Sequence, residues 1–411
     1  MTEKNIALKL TADTILVKKS VPTRRIIEVA LKAPELTDAI KRPPLNLALV
    51  LDRSGSMGGE KLEDAKYAAI QIVELLSDID HLSVVLFDDE VDLLVASQPA
   101  TPENKREIIQ TLACIHSGGS THLSGGWLTG CQQIANTMRS GETNRCLLLT
   151  DGQANVGITS GEELAMHAKQ IRIRGISTSC FGLGLGFNER LLEGMANEGG
   201  GKFYYIERAK DIPAVLALEL GELTAMVATD VKIHVQLPAG ASAEVPAGWH
   251  TELAGQQLTI HAGDLYAKQE IEFYVRLTTP PFSKVPELVV PVEVETQGGI
   301  AKGIVTSSLT FTYADDSVVD QAVLDKEMMS HYARVEVAEA ASEALRLERE
   351  GLGEIGGEAL AERVKANMPF LAENDAQLYL DMGLRIRRGM DEADRKTSHS
   401  REYRDRKRFN R

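Results

Sequence analysis

At 411 residues, with 43% hydrophobic and 25% charged side chains, the chain has the make-up of a folded soluble protein and the length of two or three domains. Its formal net charge of −14 argues against general nucleic-acid binding, although Arg385–Arg411 carries eleven Lys/Arg against five Asp/Glu. No run of about 18 apolar residues is present to span a membrane, and Met1–Asn5 opens no signal-peptide core, so a cytoplasmic location is expected.

Residues 1–42 read as strands. Ile6–Thr11 and Arg25–Leu31 alternate apolar with polar, Thr14–Val17 is apolar, and Pro43-Pro44 reads as a linker. From Leu45 to about Ala225 strands and helices take turns, which predicts a doubly wound, mostly parallel sheet over residues 43–225. The strands are Leu45–Asp52, His81–Phe87, Val91–Val95, Cys146–Thr150, Ile176–Gly182 and Phe203–Ile206. The helices are Glu60–Leu76, Glu103–Leu112, one running from Leu123 through Met138, Gly161–Arg174, Asn188–Asn197 and Ile212–Ala225.

Residues 226–314 return to strands at Asp230–Leu237, Gln257–His261, Gln269–Leu277, Glu287–Glu295 and Lys302–Thr312. Alternation in Val231–Leu237 and Glu270–Leu277 fits half-exposed antiparallel strands. Together with residues 1–42 they predict a β-sandwich built from both flanks, into which the α/β domain is inserted. Residues 315–411 read as a helical region: one long helix over Val318–Glu350, a break at Gly351–Gly357, helices Glu358–Met368 and Asp375–Met390, and a basic, mobile tail. The long stretch is expected to pack on the sandwich or on a second copy of the chain. Cys114, Cys131, Cys146 and Cys180 form no C-x-x-C pair and read as buried reduced thiols, and Trp127 reads as core.

The chemistry concentrates after three predicted strands or their loops. Asn46–Asp52 has the character of a central strand, and Asp52, Ser54 and Ser56 follow as one carboxylate and two hydroxyls within five residues. Ser117-Gly-Gly-Ser-Thr121 forms a second loop, and Leu148-Leu-Thr-Asp151-Gly152 ends a third strand. Oxygen-only donors at strand ends suit a hard cation such as Mg²⁺. Taken singly, Asp52 reads as a helix cap and the serines as turn formers; the conjunction with Thr121 and Asp151 favours a metal site. Around it, Arg53, Asp88, His122 and Asn155 are candidates for a partner-binding rim. The plainer alternatives are a solvated turn for Asp88-Asp89-Glu90 and a solvent-facing loop side chain for His122.

The segments Leu51-Asp-Arg-Ser-Gly-Ser-Met57, Gly118-Gly-Ser-Thr-His-Leu123 and Leu148-Leu-Thr-Asp-Gly152 resemble the von Willebrand factor A domain family and its metal-ion-dependent adhesion site, in the form of its stand-alone bacterial members. The resemblance implies that Asp52, Ser54, Ser56, Thr121 and Asp151 hold Mg²⁺, with Mn²⁺ or Ca²⁺ as alternatives. It also implies an open coordination position taken by an Asp or Glu of a protein partner. A non-enzymatic interaction module follows. Two other readings remain. One is a Mg²⁺-dependent phosphohydrolase, disfavoured because position 54 offers a hydroxyl in place of a carboxylate. The other is an accessory subunit of a separate ATPase, since the chain has no Walker sequence of its own.

Overall fold

The computed structural model describes residues 5–35, 43–282, 285–299, 301 and 303–407. Expectations placed on residues 36–42, 302 and 408–411 lie outside the described residues. The chain opens with strands β1 (Ala7–Ala12), β2 (Leu16–Lys18) and β3 (Thr23–Lys32). It then divides into two compact units, one of Leu36–Met226 and the other of Met1–Glu35 with Val227–Arg411.

The α/β unit begins with β4 (Leu45–Asp52), α1 (Glu60–Leu75), β5 (His81–Phe87), β6 (Val91–Pro99), α2 (Pro102–Ala113) and α3 (Leu123–Thr137). It continues through β7 (Thr143–Thr150), α4 (Gly161–Ile173), β8 (Ser177–Leu183), α5 (Glu189–Glu198), β9 (Gly200–Ile206) and α6 (Ile212–Thr224). The sheet order is β6-β5-β4-β7-β8-β9, parallel except for β6 against β5. Every residue of β4 is buried, as a strand covered on both faces requires. Asn46, polar within that strand, is satisfied by donating to Ile134 O and Asn144 Oδ1, each at 3.1 Å. Trp127 is fully buried in α3 and donates to Thr178 Oγ1 at 3.1 Å. Three helices start where a side chain takes up a free amide: Thr101 from Asn104 N, Ser160 from Glu163 N, and Asn188 from Leu191 N. The chain leaves β4 for β5 on one side and later returns to β7 on the other. The crevice at the carboxyl ends of β4 and β7 is therefore the switch point of the sheet.

The second unit continues with β10 (Met226–Gln236), β11 (Ser242–Glu244), β12 (Thr251–Ala254), β13 (Gln257–Tyr266), β14 (Glu270–Thr279), β15 (Glu287–Thr296), β16 (Gly298–Gly299) and β17 (Gly303–Ala314). One sheet runs β1-β3-β14-β11. The other runs β12-β13-β10-β15-β17-β2, with β16 on β10. Both draw on the amino-terminal strands, and the described pairings are antiparallel except β17 with β2. The short strands β11, β12 and β16 carry too little apolar alternation to be read from sequence.

The helices are α7 (Asp316–Asp320), α8 (Lys326–Arg349), α9 (Gly353–Asn367), α10 (Glu373–Arg388) and α11 (Glu392–Lys407). Three expectations are corrected here. The predicted long helix is two, because Asp325 caps a new start at α8 by accepting from Met328 N at 3.0 Å. The glycine-rich break belongs to α9: a Cβ on Gly357 would sit 2.5 Å from Gly383 O, and one on Gly356 2.8 Å from Ala344 O. Side-chain absence there lets three helices close on one another, and packing overrides poor helix propensity. The basic tail is not a mobile end over 392–407 but helix α11. Polar contacts hold it, with Arg395 Nε on Glu348 Oε2 at 2.8 Å and Tyr379 Oη on Asp405 Oδ2 at 2.8 Å. The apolar face of α8 is used within the chain: Met328, Tyr332 and Val335 pack with Ile26 and Tyr274, while Val337, Ala341 and Leu345 join Leu360, Tyr379 and Met382. Among the described helices none is long and apolar enough to cross a membrane.

Candidate metal centre at the strand ends

Asp52 closes β4 with no exposed surface. Ser54 N donates to its Oδ1 at 2.7 Å and Thr150 Oγ1 to its Oδ2 at 2.5 Å. Burial pushes the Asp52 carboxyl up to about 6, against the lowering hydrogen bonds from Ser54 and Thr150, and the nearby Asp151 adds to the rise. Asp151, at the end of β7, is 1% exposed. Ser56 Oγ donates to Asp151 Oδ1 at 2.6 Å, and Ser54 Oγ lies 3.2 Å from Ser56 Oγ. Side-chain oxygens thus run without interruption from Asp151 through Ser56 and Ser54 to Asp52.

Thr121 is 3% exposed, just ahead of α3. A Cβ on Gly152 would lie 2.9 Å from Thr121 Oγ1 and 3.7 Å from Asp52 Oδ2, which places the threonine hydroxyl beside the same cluster. Backbone bonds tie the loops together: Gly55 N donates to Gly119 O at 2.9 Å, Gly118 N to Arg53 O at 2.7 Å, and Asn155 N to Thr121 O at 3.1 Å. All five candidates therefore converge, from two strand ends and one helix start.

The rim candidates fare differently. Asp88 is 5% exposed and organises the loops instead of facing water as part of a turn. Burial raises its carboxyl, but bonds from Glu90 N and the Arg53 guanidinium hold it below the usual carboxylate range. Arg53 is engaged by Asp88 at 2.9 Å and Asp92 at 2.6 Å, so it braces the loop where sequence suggested contact with an acidic partner. His122 is half-buried; a Cβ on Gly157 would come within 2.5 Å of its Nε2, so its ring packs beneath that loop instead of pointing outward. Asn155 is exposed at the edge. Of the cysteines, Cys114 is exposed and the other three are buried.

Two residues escaped the sequence reading. Thr150 immediately precedes Asp151 and bonds Asp52, a role hidden because a threonine ending a strand is unremarkable. Lys61, in the first turn of α1, sets its Nζ against Asp151 Oδ2 at 2.5 Å and donates to Ser56 O at 3.2 Å. A lysine near a helix start runs against the macrodipole, and that was the available signal. Chemically, the cluster offers two carboxylates and three hydroxyls, and its Asp151 end already carries a positive charge.

Residues 46–217 match the model of the von Willebrand factor type A domain. The chain is 29% identical to YfbK of Escherichia coli (strain K12) over 243 residues, which are 57% of this chain and 42% of YfbK. It is 32% identical to human inter-alpha-trypsin inhibitor heavy chain H3 over 164 residues, 38% of this chain and 18% of that protein. The chain thus spans under half the length of these relatives. A von Willebrand factor type A structure from Catenulispora acidiphila superimposes at a TM-score of 0.75 and 16% identity, covering 100% of this chain and 98% of that one. The ArnB paralog VWA2 from Sulfolobus acidocaldarius does so at 0.65 and 15%, covering 97% and 98%. These two share its fold over the whole length.

Proposed function

We propose that the von Willebrand factor type A domain of this chain is a non-catalytic, Mg²⁺-dependent protein-interaction module, in which Asp52, Ser54, Ser56, Thr121 and Asp151 hold the ion. The observation that carries this reading is the run of side-chain oxygens from Asp151 through Ser56 and Ser54 to Asp52. The donor set fits: oxygens alone suit hard cations, Mg²⁺ first and Mn²⁺ or Ca²⁺ after it. When bound, the ion supplies positive charge that neutral hydroxyls leave largely uncompensated, and this draws in an Asp or Glu carboxylate of a protein partner.

The chain's own residues prepare that encounter. Thr150 and Ser54 N orient the Asp52 carboxylate. Asp88, pinned by Arg53, sets the loop that carries Thr121. Asn155 stands exposed beside Thr121 for contact with the partner. No second carboxylate replaces Ser54 to serve as nucleophile or acid, which favours recognition over phosphoryl transfer.

Melting and capture experiments test this reading. Mg²⁺ is expected to raise the melting temperature of the wild type and to leave Asp151→Ala unmoved. A partner captured in Mg²⁺ should be released by EDTA and lost in Thr121→Ala. A wild type indifferent to Mg²⁺ in both assays overturns the proposal, and Mg²⁺-dependent phosphomonoester turnover abolished by Asp52→Ala would replace it.

A further inference from the structure

The second unit carries a different set of metal-ligating side chains at the edge of its larger sheet. β12 is the outermost strand there, and all four of its residues are exposed. Thr251 pairs with Ile260, so His250 stands opposite His261, and His261 N donates to His250 O at 3.0 Å. The two-residue period of a strand returns Glu252 to the face of His250, and cross-strand neighbours share that face.

We infer that His250, Glu252 and His261 form a binding site for Zn²⁺ or a similar borderline divalent transition metal. Both imidazoles aim Nε2 at one carboxylate oxygen: His250 lies 3.3 Å and His261 3.6 Å from Glu252 Oε1. One donor atom from each of the three residues lies within 4.8 Å of the others. Tetrahedral zinc with bonds of about 2.0–2.1 Å has donor–donor edges of about 3.3–3.4 Å. Two edges of the coordination triangle are therefore close to that spacing, and the third is no longer than 4.8 Å. A single His–Glu ion pair on a surface would not require two rings to converge on the same oxygen.

Ligand chemistry separates this site from the oxygen cluster of the α/β unit. Two imidazoles and a carboxylate select zinc, nickel or copper over magnesium and calcium. With neutral imidazoles the loaded site keeps a net charge of +1. Its fourth position opens to water or to a donor from outside, since the Glu252 side chain is 58% exposed. The backbone under the site is anchored: the Trp249 ring lies 4.7 Å from Phe273, and Gly255 takes φ +63° in the turn that closes the hairpin. β12 itself contributes little apolar burial, with Leu253 62% exposed. A metal bridging His250 to His261 would staple the edge strand to its neighbour, and binding to the folded hairpin alone would stabilise it.

The test is calorimetric titration of Zn²⁺ into the chelator-stripped full-length chain with Mg²⁺ in excess. One equivalent should bind, at least about tenfold more weakly in His250→Gln and in His261→Gln, with affinity unchanged in Asp151→Ala. Hydrogen exchange of Thr251–Ala254 should slow with Zn²⁺ in the wild type and not in the histidine variants. Variants whose melts in EDTA match the wild type exclude misfolding as the cause. Absence of saturable Zn²⁺ binding, or binding that survives both histidine substitutions, overturns the inference.

Discussion

The Nζ of Lys61 stands 2.5 Å from Oδ2 of Asp151, so an ammonium tethered to α1 sits against a buried carboxylate of the oxygen cluster. Lys61 is 37% exposed at its side chain and can swing away, whereas Asp151 cannot. The lysine is thus placed to neutralise Asp151 and to compete with a divalent ion for it. Lys61→Met is expected to tighten Mn²⁺ binding by about tenfold, because one like charge leaves the neighbourhood of the ion. The same variant should melt lower in EDTA, where Asp151 has lost its cation. Electron paramagnetic resonance of Mn²⁺ titrations reads the first effect and calorimetry the second. Weaker Mn²⁺ binding would show that Lys61 assists the site instead of opposing it.

Gly118 is small because Asp88 stands where its side chain would go. A Cβ there would lie 1.8 Å from Asp88 Oδ2, and Asp88 is fixed by Arg53 and by Glu90 N. Gly118→Ala should therefore cost about 1–3 kcal/mol in urea denaturation and shift the loop that carries Thr121. The contrast is Gly221, exposed in α6 with nothing within 4 Å of its notional Cβ. Gly221→Ala should stabilise by about 1 kcal/mol through helix propensity alone. Equal effects of the two substitutions would contradict the steric reading.

Lys396 in α11 is only 1% exposed, and burial brings its ammonium down from 10.5 to about 8, the Glu392 carboxylate opposing the shift. Between those values the unfolded chain holds the proton and the folded chain has lost it, so stability rises as pH climbs from 8 towards 10.5. Below 8 the full cost of burying the charge remains. Lys396→Met is accordingly expected to stabilise this unit at pH 7 by about 1–3 kcal/mol, with the gain fading as pH approaches 10.5. Urea titrations across that pH range check both the sign and the slope. A variant less stable at every pH would mean that the Glu392 pairing outweighs desolvation.

The strand–helix alternation of the α/β unit and the two-flank origin of the antiparallel sheets were legible because period and burial go together. Asn46–Asp52 has no polar face to show, and β4 has no exposed face. Asp52, Ser54, Ser56 and Asp151 could be picked out because hydrophilic turns after apolar parallel strands meet at one end of the sheet, whereas Thr121, in the loop between α2 and α3, joined them through the resemblance of its Gly118–Leu123 segment to the von Willebrand factor A motif. What periodicity could not reach were elements held by polar or backbone contacts. The helix α11 is fixed by Arg395 on Glu348 and by Tyr379 on Asp405, partners 47 and 26 residues away in the chain. The glycines of α9 look like a helix breaker until α8 and α10 are seen to press against them.

By itself, then, the order of residues determined the strand–helix alternation of the α/β unit, which follows from local spacing of apolar side chains, and the three motif segments that carry Asp52, Ser54, Ser56, Thr121 and Asp151. Only the tertiary structure decided the use of charged residues. Arg53 braces Asp88, Lys61 occupies the flank of Asp151, and His250 meets His261 across two strands. A charge can be satisfied by any opposite group within reach, and reach is a property of the folded chain.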